Sequence, residues 1–216
     1  MIEAVIFDMD GVIVDSEGYH FRAFLDVLKN YNIVITKREY LDWVGITTED
    51  IFRILKQKYS LPEDVGVLID RKEKRVVELM RNIKLISGVK EFIGFLRDNG
   101  YRIALASGSD ASVIEYIINK NNLRDRFEVI TTLGDVKQPK PNPEMYLLTA
   151  HRLNVSPKNC LAIEDSEAGV NSAKNAGMYC IAVRNRWTVN HDVSRADCIV
   201  ENLKDITQDL IRRYGG

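Results

Sequence analysis

Two carboxylates near the start of the chain have a spacing that lets them act on the same atom. Asp8 and Asp10 follow the apolar run 2–7 and stand directly before Gly11. Side chains two positions apart in an extended chain point the same way, so both carboxylates can converge on one spot, and the glycine permits a sharp turn after them. Alone the pattern is weak evidence of a site, because Asp and Gly are also common turn formers.

Polar residues at three other places strengthen this interpretation. Ser107 and the pair Glu164 and Asp165 each follow an apolar run, and Lys140 stands before a proline. If the runs are parallel strands, these residues reach one sheet edge, beyond the carboxyl ends of the strands, where ligands bind in open α/β sheets. Each residue alone has an ordinary explanation, such as a helix cap or a surface lysine. Together they predict a functional site.

The charges of such a site indicate what it would hold. Two carboxylates about 4 Å apart repel by about 4 kcal/mol at an effective dielectric near 20, and Glu164 and Asp165 add to the repulsion, so a cation must compensate. Oxygen ligands with no His or Cys nearby favour a hard ion, and Mg²⁺ fits better than zinc. The Lys140 ammonium and the Ser107 hydroxyl then offer hydrogen bonds to a phosphoryl group. The sequence therefore predicts a phosphate ester as substrate.

The elements that must position these residues alternate between strands and helices. Short apolar runs predict strands, and apolar residues at helical spacing predict helices at 89–96, 113–118 and 145–153 between them. Asp110 is a candidate N-cap for the second helix and Asn142 for the third. This alternation predicts a Rossmann-like parallel sheet with helices on both faces. The predicted strands are 2–7, 102–106, 127–130, 160–163, 180–183 and 198–200.

One stretch breaks the alternation. Between about residues 15 and 85 no convincing strand occurs, whereas apolar residues recur at helical spacing. We therefore predict an α/β catalytic core formed by residues 1–14 and 86–216, with a small inserted helical cap domain at 15–85.

Composition limits the class of partner. The chain has 216 residues with 45% hydrophobic residues, and its 30 Lys plus Arg nearly balance 31 Asp plus Glu, for a net charge of -1. Such a chain has no field to recruit nucleic acid or an anionic membrane, so we expect a small phosphorylated metabolite as partner. The three scattered cysteines are typical of buried thiols in a reducing cytosol, and the first apolar run is too short for export. We expect a cytoplasmic protein, with a monomer as the default oligomeric state.

Four motifs carry a resemblance to a known family. In their order along the chain they resemble the motifs of the haloacid dehalogenase superfamily, over essentially the full length, and the nearest branch is that of the β-phosphoglucomutase-like phosphatases. The stretch after the first motif resembles that family's small helical cap. The motifs are Asp8-Met9-Asp10-Gly11-Val12-Ile13-Val14-Asp15, Ala106-Ser107-Gly108-Ser109, Lys140-Pro141-Asn142-Pro143 and Ile163-Glu164-Asp165-Ser166.

The resemblance implies a role for each motif residue. Asp8 would be the nucleophile that forms an aspartyl-phosphate, and Asp10 the general acid and then the base. A second carboxylate at that position argues against displacement of halide from carbon. Mg²⁺ would be held by Asp8, the backbone carbonyl of Asp10, Asp165 and, directly or through water, Glu164, while Ser107, Gly108 and Lys140 would lie at the transferring phosphoryl group.

Cap residues decide between hydrolysis and mutase turnover. The resembling mutases carry a histidine and a lysine where this chain has His20 and Lys72, which favours a mutase. They also carry an arginine where this chain has Thr48, and a threonine hydroxyl cannot replace the bidentate donors of a guanidinium. A second phosphate would then depend on Arg53 or Lys72. We interpret the difference as favouring hydrolysis.

The predicted function is a Mg²⁺-dependent phosphatase that hydrolyses a small phosphate monoester, of which sugar and polyol phosphates are the leading class. Cap residues His20, Thr47, Arg53 and Lys72 are the candidates for selecting the leaving group. A sugar phosphomutase is the main alternative. A phospho-receiver module or a non-catalytic binding protein stays open as an alternative of another class.

Overall fold

A six-stranded parallel sheet forms the centre of the protein, which is described here by a computed structural model covering residues 1–214. The strand order is β3-β2-β1-β4-β5-β6, with β1 in the middle, and each pair of neighbouring strands is parallel. The strands are β1 (Ala4–Phe7), β2 (Arg102–Ala106), β3 (Val129–Thr131), β4 (Cys160–Glu164), β5 (Tyr179–Val183) and β6 (Cys198–Val200). All six predicted strands are present, which confirms the parallel α/β fold class.

Helices connect the strands and are the main elements of the predicted insertion. Of the helices in the described residues, four lie within 15–85, namely α1 (Glu17–Leu28), α2 (Lys37–Leu41), α3 (Thr48–Tyr59) and α4 (Val65–Leu79). The other five are α5 (Val89–Asp98), α6 (Ala111–Lys120), α7 (Glu144–Leu153), α8 (Glu167–Asn175) and α9 (Gln208–Arg213). Single 3-10 turns occur at Lys29–Tyr31, Met80–Asn82, Arg124–Arg126, Leu133–Asp135, Pro157–Asn159 and Leu203–Asp205.

The helix starts follow the capping residues predicted from the sequence, with one difference. Asp110 is the N-cap of α6 and its side chain accepts a hydrogen bond from Ser112 N. For α7 the residue at the N-cap position is Pro143 and not Asn142. Asn142 still accepts a hydrogen bond from the backbone N–H of Glu144 at 2.9 Å, so its side chain satisfies the first helical turn from one position further out.

Side chains of each central strand divide between two hydrophobic layers. In β1, Val5 and Phe7 belong to one buried cluster and Ala4 and Ile6 to the other, as the two-residue period of a strand requires. The first cluster packs bulky residues against α5, α6 and α9, and the second packs small strand residues against α7 and α8. Burial on both faces explains why the strands read as continuous apolar runs.

The four inserted helices have a core of their own, which holds Phe24, Phe52 and Leu68 together with Trp187 from the loop after β5. The insertion leaves the sheet and returns to it at adjacent points. Val14 pairs with Leu85 in an antiparallel bridge, and Ile86 N donates to Ile13 O at 2.8 Å. The segment that enters the insertion and the segment that leaves it therefore contact each other near the predicted boundaries of the cap. The boundaries themselves stay a prediction.

Candidate active site

Asp8 directly follows β1 and therefore lies at the carboxyl edge of the parallel sheet. The Asp8 backbone N–H donates to Ile163 O of β4 at 2.9 Å, which extends the ladder as far as the acidic residues. Gly11 then turns the chain with φ at +80°. A Cβ at Gly11 would lie 2.2 Å from Asp165 Oδ2, so glycine is required here both by the backbone conformation and by the close approach of that carboxylate.

A buried lysine holds two of the predicted carboxylates together. Lys140 Nζ donates to Asp8 Oδ1 at 2.7 Å and to Glu164 Oε1 at 2.6 Å. The Glu164 side chain is fully buried and also accepts a hydrogen bond from Tyr146 OH at 2.8 Å. The backbone carbonyl of Ala106, at the end of β2, accepts a third bond from Lys140 Nζ at 3.1 Å. The Lys140 ammonium thus links the carboxyl ends of β1, β2 and β4.

The arrangement places more negative charge here than Lys140 can balance. Asp8, Glu164 and Asp165 are all buried, and one oxygen from each lies within 4.8 Å of the others. Burial raises the pKa of Asp8 to about 8, against the attraction of Lys140 and helped by repulsion from Glu164. Burial, together with Glu164 and Asp8, also raises the pKa of Asp165 well above its usual value. Three oxygen donors with uncompensated charge fit a divalent hard cation.

Asp10 faces a different set of partners. Its Oδ2 accepts a hydrogen bond from Ser109 Oγ at 2.7 Å, and Oδ1 accepts one from Ser16 Oγ. His20 Nε2 lies 3.6 Å from Oδ1. Burial opposes ionisation, but the His20 imidazole and the two hydroxyl donors outweigh it and lower the pKa of Asp10 to about 2. Two carboxylates two positions apart therefore have opposite shifts, and Asp10 is ionised at neutral pH, as a base must be.

A pocket opens over both aspartates. Its volume is about 240 Å³, which suits a ligand smaller than a drug-sized molecule. Asp8, Asp10, Gly108, Lys140 and Asp165 lie in its wall. The pocket's other wall comes from the inserted helices.

Two predicted residues lie behind the pocket wall. Ser107 and Glu164 are both fully buried and are not among the pocket-lining residues that the structure describes. Ser107 Oγ accepts from Ser109 N at 3.1 Å and lies 3.5 Å from Asp10 Oδ2. The side chain of Asp10 is likewise outside the three-carboxylate cluster, so its contribution to a metal would come from the backbone carbonyl, as the resemblance implies.

The inserted helices bring His20, Thr47 and Lys72 to the opposite wall of the pocket. Lys72 Nζ lies 2.8 Å from His20 Nδ1 and 3.1 Å from Thr48 Oγ1. It is also 2.9 Å from Glu73 Oε1, in an ion pair whose side chains are 2% and 11% exposed.

Arg53 does not take the place that the sequence suggested for it. Its guanidinium pairs with Glu49 one turn earlier on α3, with Nε 3.1 Å from Glu49 Oε1, and both side chains are more than half exposed. Arg53 is absent from the pocket-lining residues within the described chain. Its partner Glu49 does line the pocket, so the pair brings its acidic member and not its guanidinium into the pocket wall.

Some residues of the site carry no obvious signal in the sequence. Ser16 and Ser109 hold Asp10, and Tyr146 binds Glu164, yet serine and tyrosine at these spacings are common in loops and helices. Gly169 is the clearest case. A Cβ there would lie 2.0 Å from the Glu164 carboxylate, so the start of α8 needs glycine to make room for that group.

Comparison with known proteins shows the family of this chain. A profile of the haloacid dehalogenase-like hydrolase family matches residues 5–183. The chain is 37% identical over 194 residues to the candidate phosphatase YhcW of Bacillus subtilis (strain 168), covering 87% of this chain and 86% of that one. It is 33% identical over 186 residues to hexitol phosphatase B of Escherichia coli (strain K12), covering 84% and 83%.

A solved structure shares the fold. The crystal structure of β-phosphoglucomutase from Clostridium difficile superposes with a TM-score of 0.87 at 29% identity, covering 99% of this chain and 97% of that one. The chain belongs to the haloacid dehalogenase-like hydrolase family, as its motifs predict. Its named relatives include phosphatases and phosphomutases. Among residues 1–214, no helix combines the length and the apolarity needed to span a membrane.

Proposed function

We propose that this chain is a Mg²⁺-dependent phosphatase that hydrolyses a small phosphate monoester through an aspartyl-phosphate on Asp8. The observation that carries the proposal is the buried cluster at the sheet edge, where Lys140 bridges Asp8 and Glu164 beneath the pocket. Phosphoryl transfer depends on positioning and on neutralising charge more than on covalent help from the protein. The cluster can both position a phosphoryl group over Asp8 and help to neutralise its charge.

Mg²⁺ held by Asp8, the carbonyl of Asp10 and Asp165, with Glu164 in support, would neutralise the phosphate and draw its oxygens into place. Asp8 Oδ attacks phosphorus, and the bond to the leaving alcohol breaks as that oxygen receives a proton from Asp10. Asp10 then takes a proton from a water molecule, whose oxygen attacks phosphorus and releases Asp8. Lys140, in the pocket wall, is the proposed partner of the phosphoryl oxygens beside Gly108, and Ser107 would join it by turning its hydroxyl from Asp10 toward the pocket.

Asp10 must gain a proton before it can act as the acid. In the arrangement described here Ser16, Ser109 and His20 all stabilise its ionised form. Movement of Asp10 away from these partners would favour protonation. We infer that residues 15–85 act as a cap that moves on the core, 1–14 and 86–216, about the paired segments at Val14 and Leu85.

The partner of this site is a small phosphorylated metabolite, and sugar and polyol phosphates are the proposed class. One relative is named a hexitol phosphatase, and the pocket volume fits a molecule of that size. The three cysteines are free, which supports a reducing, cytoplasmic setting. Nothing in the charge of the chain, -1 overall, favours nucleic acid or an anionic membrane as a partner.

A sugar phosphomutase is the second candidate. The contact between His20 and Lys72 at 2.8 Å in the cap wall favours it, as does the likeness to a solved β-phosphoglucomutase. Membership of a hydrolase family argues against the phospho-receiver alternative. A mutase must also bind a second phosphate, and the residues near Thr48 decide whether it can.

The test is phosphate release with Mg²⁺ from a panel of sugar and polyol phosphates. β-Glucose 1-phosphate with a trace of glucose 1,6-bisphosphate runs in parallel and is followed for glucose 6-phosphate. Steady release of inorganic phosphate is the expected result, and rapid isomerisation with little release would instead establish the mutase. Asp8→Asn should abolish turnover while the fold survives. More than a few per cent of residual activity in a metal-replete assay would contradict the nucleophile assignment.

A further inference from the structure

The cap end of the pocket contains an acidic side chain whose purpose the catalytic chemistry does not explain. Glu73 follows Lys72 on α4, and both side chains are buried in the pocket wall. Adjacent residues of a helix normally diverge. Here they converge, with Lys72 Nζ 2.9 Å from Glu73 Oε1, and Glu73 Oε2 is buried with no hydrogen-bond partner.

Lys72 is the only lysine or arginine that the inserted helices contribute to the described pocket wall, and the ion pair with Glu73 changes what it can bind. Lys72 is surrounded by acceptors, namely Glu73, His20 Nδ1 and Thr48 Oγ1. Glu17 also lies in the wall, where it accepts a hydrogen bond from Tyr40 OH at 2.6 Å. The charge of Lys72 is therefore already compensated, and this end of the pocket has no excess positive charge for an anion.

We propose that Glu73, by pairing with Lys72, makes the cap end of the pocket accept a neutral polyhydroxyl leaving group and reject a second phosphate. The proposal rests on the phosphatase function proposed above and assigns its substrate class. Because the Lys72–Glu73 pair is neutral overall, it gives a phosphate dianion no net attraction to offset the hydration that the dianion loses on entering the pocket. Hydroxyl groups can instead donate to the free carboxylate oxygen.

The experiment compares two substrates that differ only at the cap end. Fructose 6-phosphate and fructose 1,6-bisphosphate are assayed for phosphate release, and the ratio of their kcat/KM values measures discrimination. In the wild type we expect the monophosphate to be favoured by at least about 100-fold. Glu73→Gln keeps the shape and removes the charge, and we expect it to reduce that ratio by at least about tenfold, chiefly through KM for the bisphosphate.

A matched control lies on the same helix. Glu78 also forms an ion pair, with Arg75 at 2.8 Å, but its side chain is 53% exposed and lies outside the pocket. Glu78→Gln makes the same chemical change, and it should leave the ratio within about threefold of the wild-type value. Thermal unfolding of both variants verifies that they fold.

A second variant keeps the proposal testable if Glu73→Gln does not fold. Thr48 Oγ1 lies 3.4 Å from Glu73 Oε1, so an arginine at position 48 would meet the Glu73 carboxylate. Thr48→Arg adds a positive charge beside the Lys72–Glu73 pair, and we therefore expect it to reduce the preference for the monophosphate by at least about tenfold without any change at Glu73. An unchanged preference in Thr48→Arg would overturn the proposal.

The outcomes separate this inference from the function on which it rests. A wild type that hydrolyses the monophosphate, with an unchanged ratio in Glu73→Gln, refutes the role of Glu73 and leaves the phosphatase intact. A wild type that uses a bisphosphate as well as a monophosphate refutes this inference alone, and one that isomerises β-glucose 1-phosphate refutes both. Absence of phosphate release from every monoester refutes the phosphatase and this inference with it.

Discussion

Gly169→Ala should test whether the position of Glu164 is fixed by the start of α8. A Cβ at this position would lie 2.0–2.1 Å from the carboxylate atoms of Glu164, against an ordinary contact of 3.4 Å or more. The carboxylate would have to move by about 1.4 Å, the difference between those distances. It would then lose part of a set of hydrogen bonds from Lys140 Nζ at 2.6 Å, Tyr146 OH at 2.8 Å and Asp165 N at 3.1 Å.

The expected loss of folding stability is large for the addition of a single methyl group. Hydrogen bonds to charged groups contribute about 1.5–3 kcal/mol each, so losing one or two should lower the free energy of unfolding by about 2–4 kcal/mol. An alanine in a helix otherwise stabilises it by about 0.5–1 kcal/mol over glycine. Gly94 in α5 provides the control, because a Cβ there meets nothing within 4 Å. Gly94→Ala should therefore stabilise the protein.

Urea unfolding measures the loss of stability. The Mg²⁺ concentration for half-maximal phosphate release measures how far the displaced Glu164 carboxylate weakens activation by the metal. Displacing a supporting carboxylate should weaken activation by about 10–100-fold. In a Glu164→Ala background the clash is gone, so Gly169→Ala should cost almost nothing, giving a coupling of about 2 kcal/mol or more. If Gly169→Ala were as stable as Gly94→Ala, the proposed packing of Glu164 against α8 would be wrong.

Three further changes test separate parts of the molecule. Asp10→Asn should slow phosphate release by roughly 10²–10⁴-fold, since it removes the general acid and base, and a negligible change would move that role elsewhere. Asp135, hydrogen-bonded by Arg152 at 2.7 Å, has its pKa lowered to about 2. This pKa contributes stability that is present above about pH 4 and lost as the pH falls through 2. Because the side chain is partly exposed, Asp135→Asn should cost only about 1 kcal/mol in urea unfolding at pH 7 and less near pH 2, whereas a constant difference would refute the ionic origin. Trp187 Nε1 donates to Asp15 Oδ1 at 3.0 Å and its ring packs in the cap core, so Trp187→Phe should cost about 2 kcal/mol in urea unfolding, and Asp15→Ala should add little because the hydrogen bond is already lost.

The fold and the sheet-edge residues could be predicted because they obey short periodicities. Strands buried on both faces appear as apolar runs, and parallel strands bring their carboxyl ends to one edge whatever connects them. Asp8, Lys140 and Asp165 therefore come together although they are far apart in the chain. Arg53 shows a missed signal of the same kind. Glu49 stands four residues before it, a spacing that predicts their ion pair on the helix.

Other contacts depend on geometry that no short spacing encodes. Ser109 reaches Asp10 because the chain turns after β2, and Gly169 approaches Glu164 because α8 starts directly above that strand. The convergence of Lys72 and Glu73 runs against the helical pattern, since neighbouring residues diverge unless packing turns both toward one cavity. These contacts are set by tertiary packing, and spacing alone predicts none of them.

The two ends of the pocket differ in how their charge is balanced, and that difference orients a substrate. At the core end, Asp8, Glu164 and Asp165 share one lysine, so this end requires added positive charge, and a cation there attracts a phosphoryl group. At the cap end, Lys72 is already paired with Glu73. A phosphate monoester gains most by placing its phosphate over Asp8 and its uncharged part against α4. The reverse orientation would leave the carboxylates of the core uncompensated and place a dianion against a neutral ion pair, so one bound orientation should dominate, as hydrolysis without isomerisation requires.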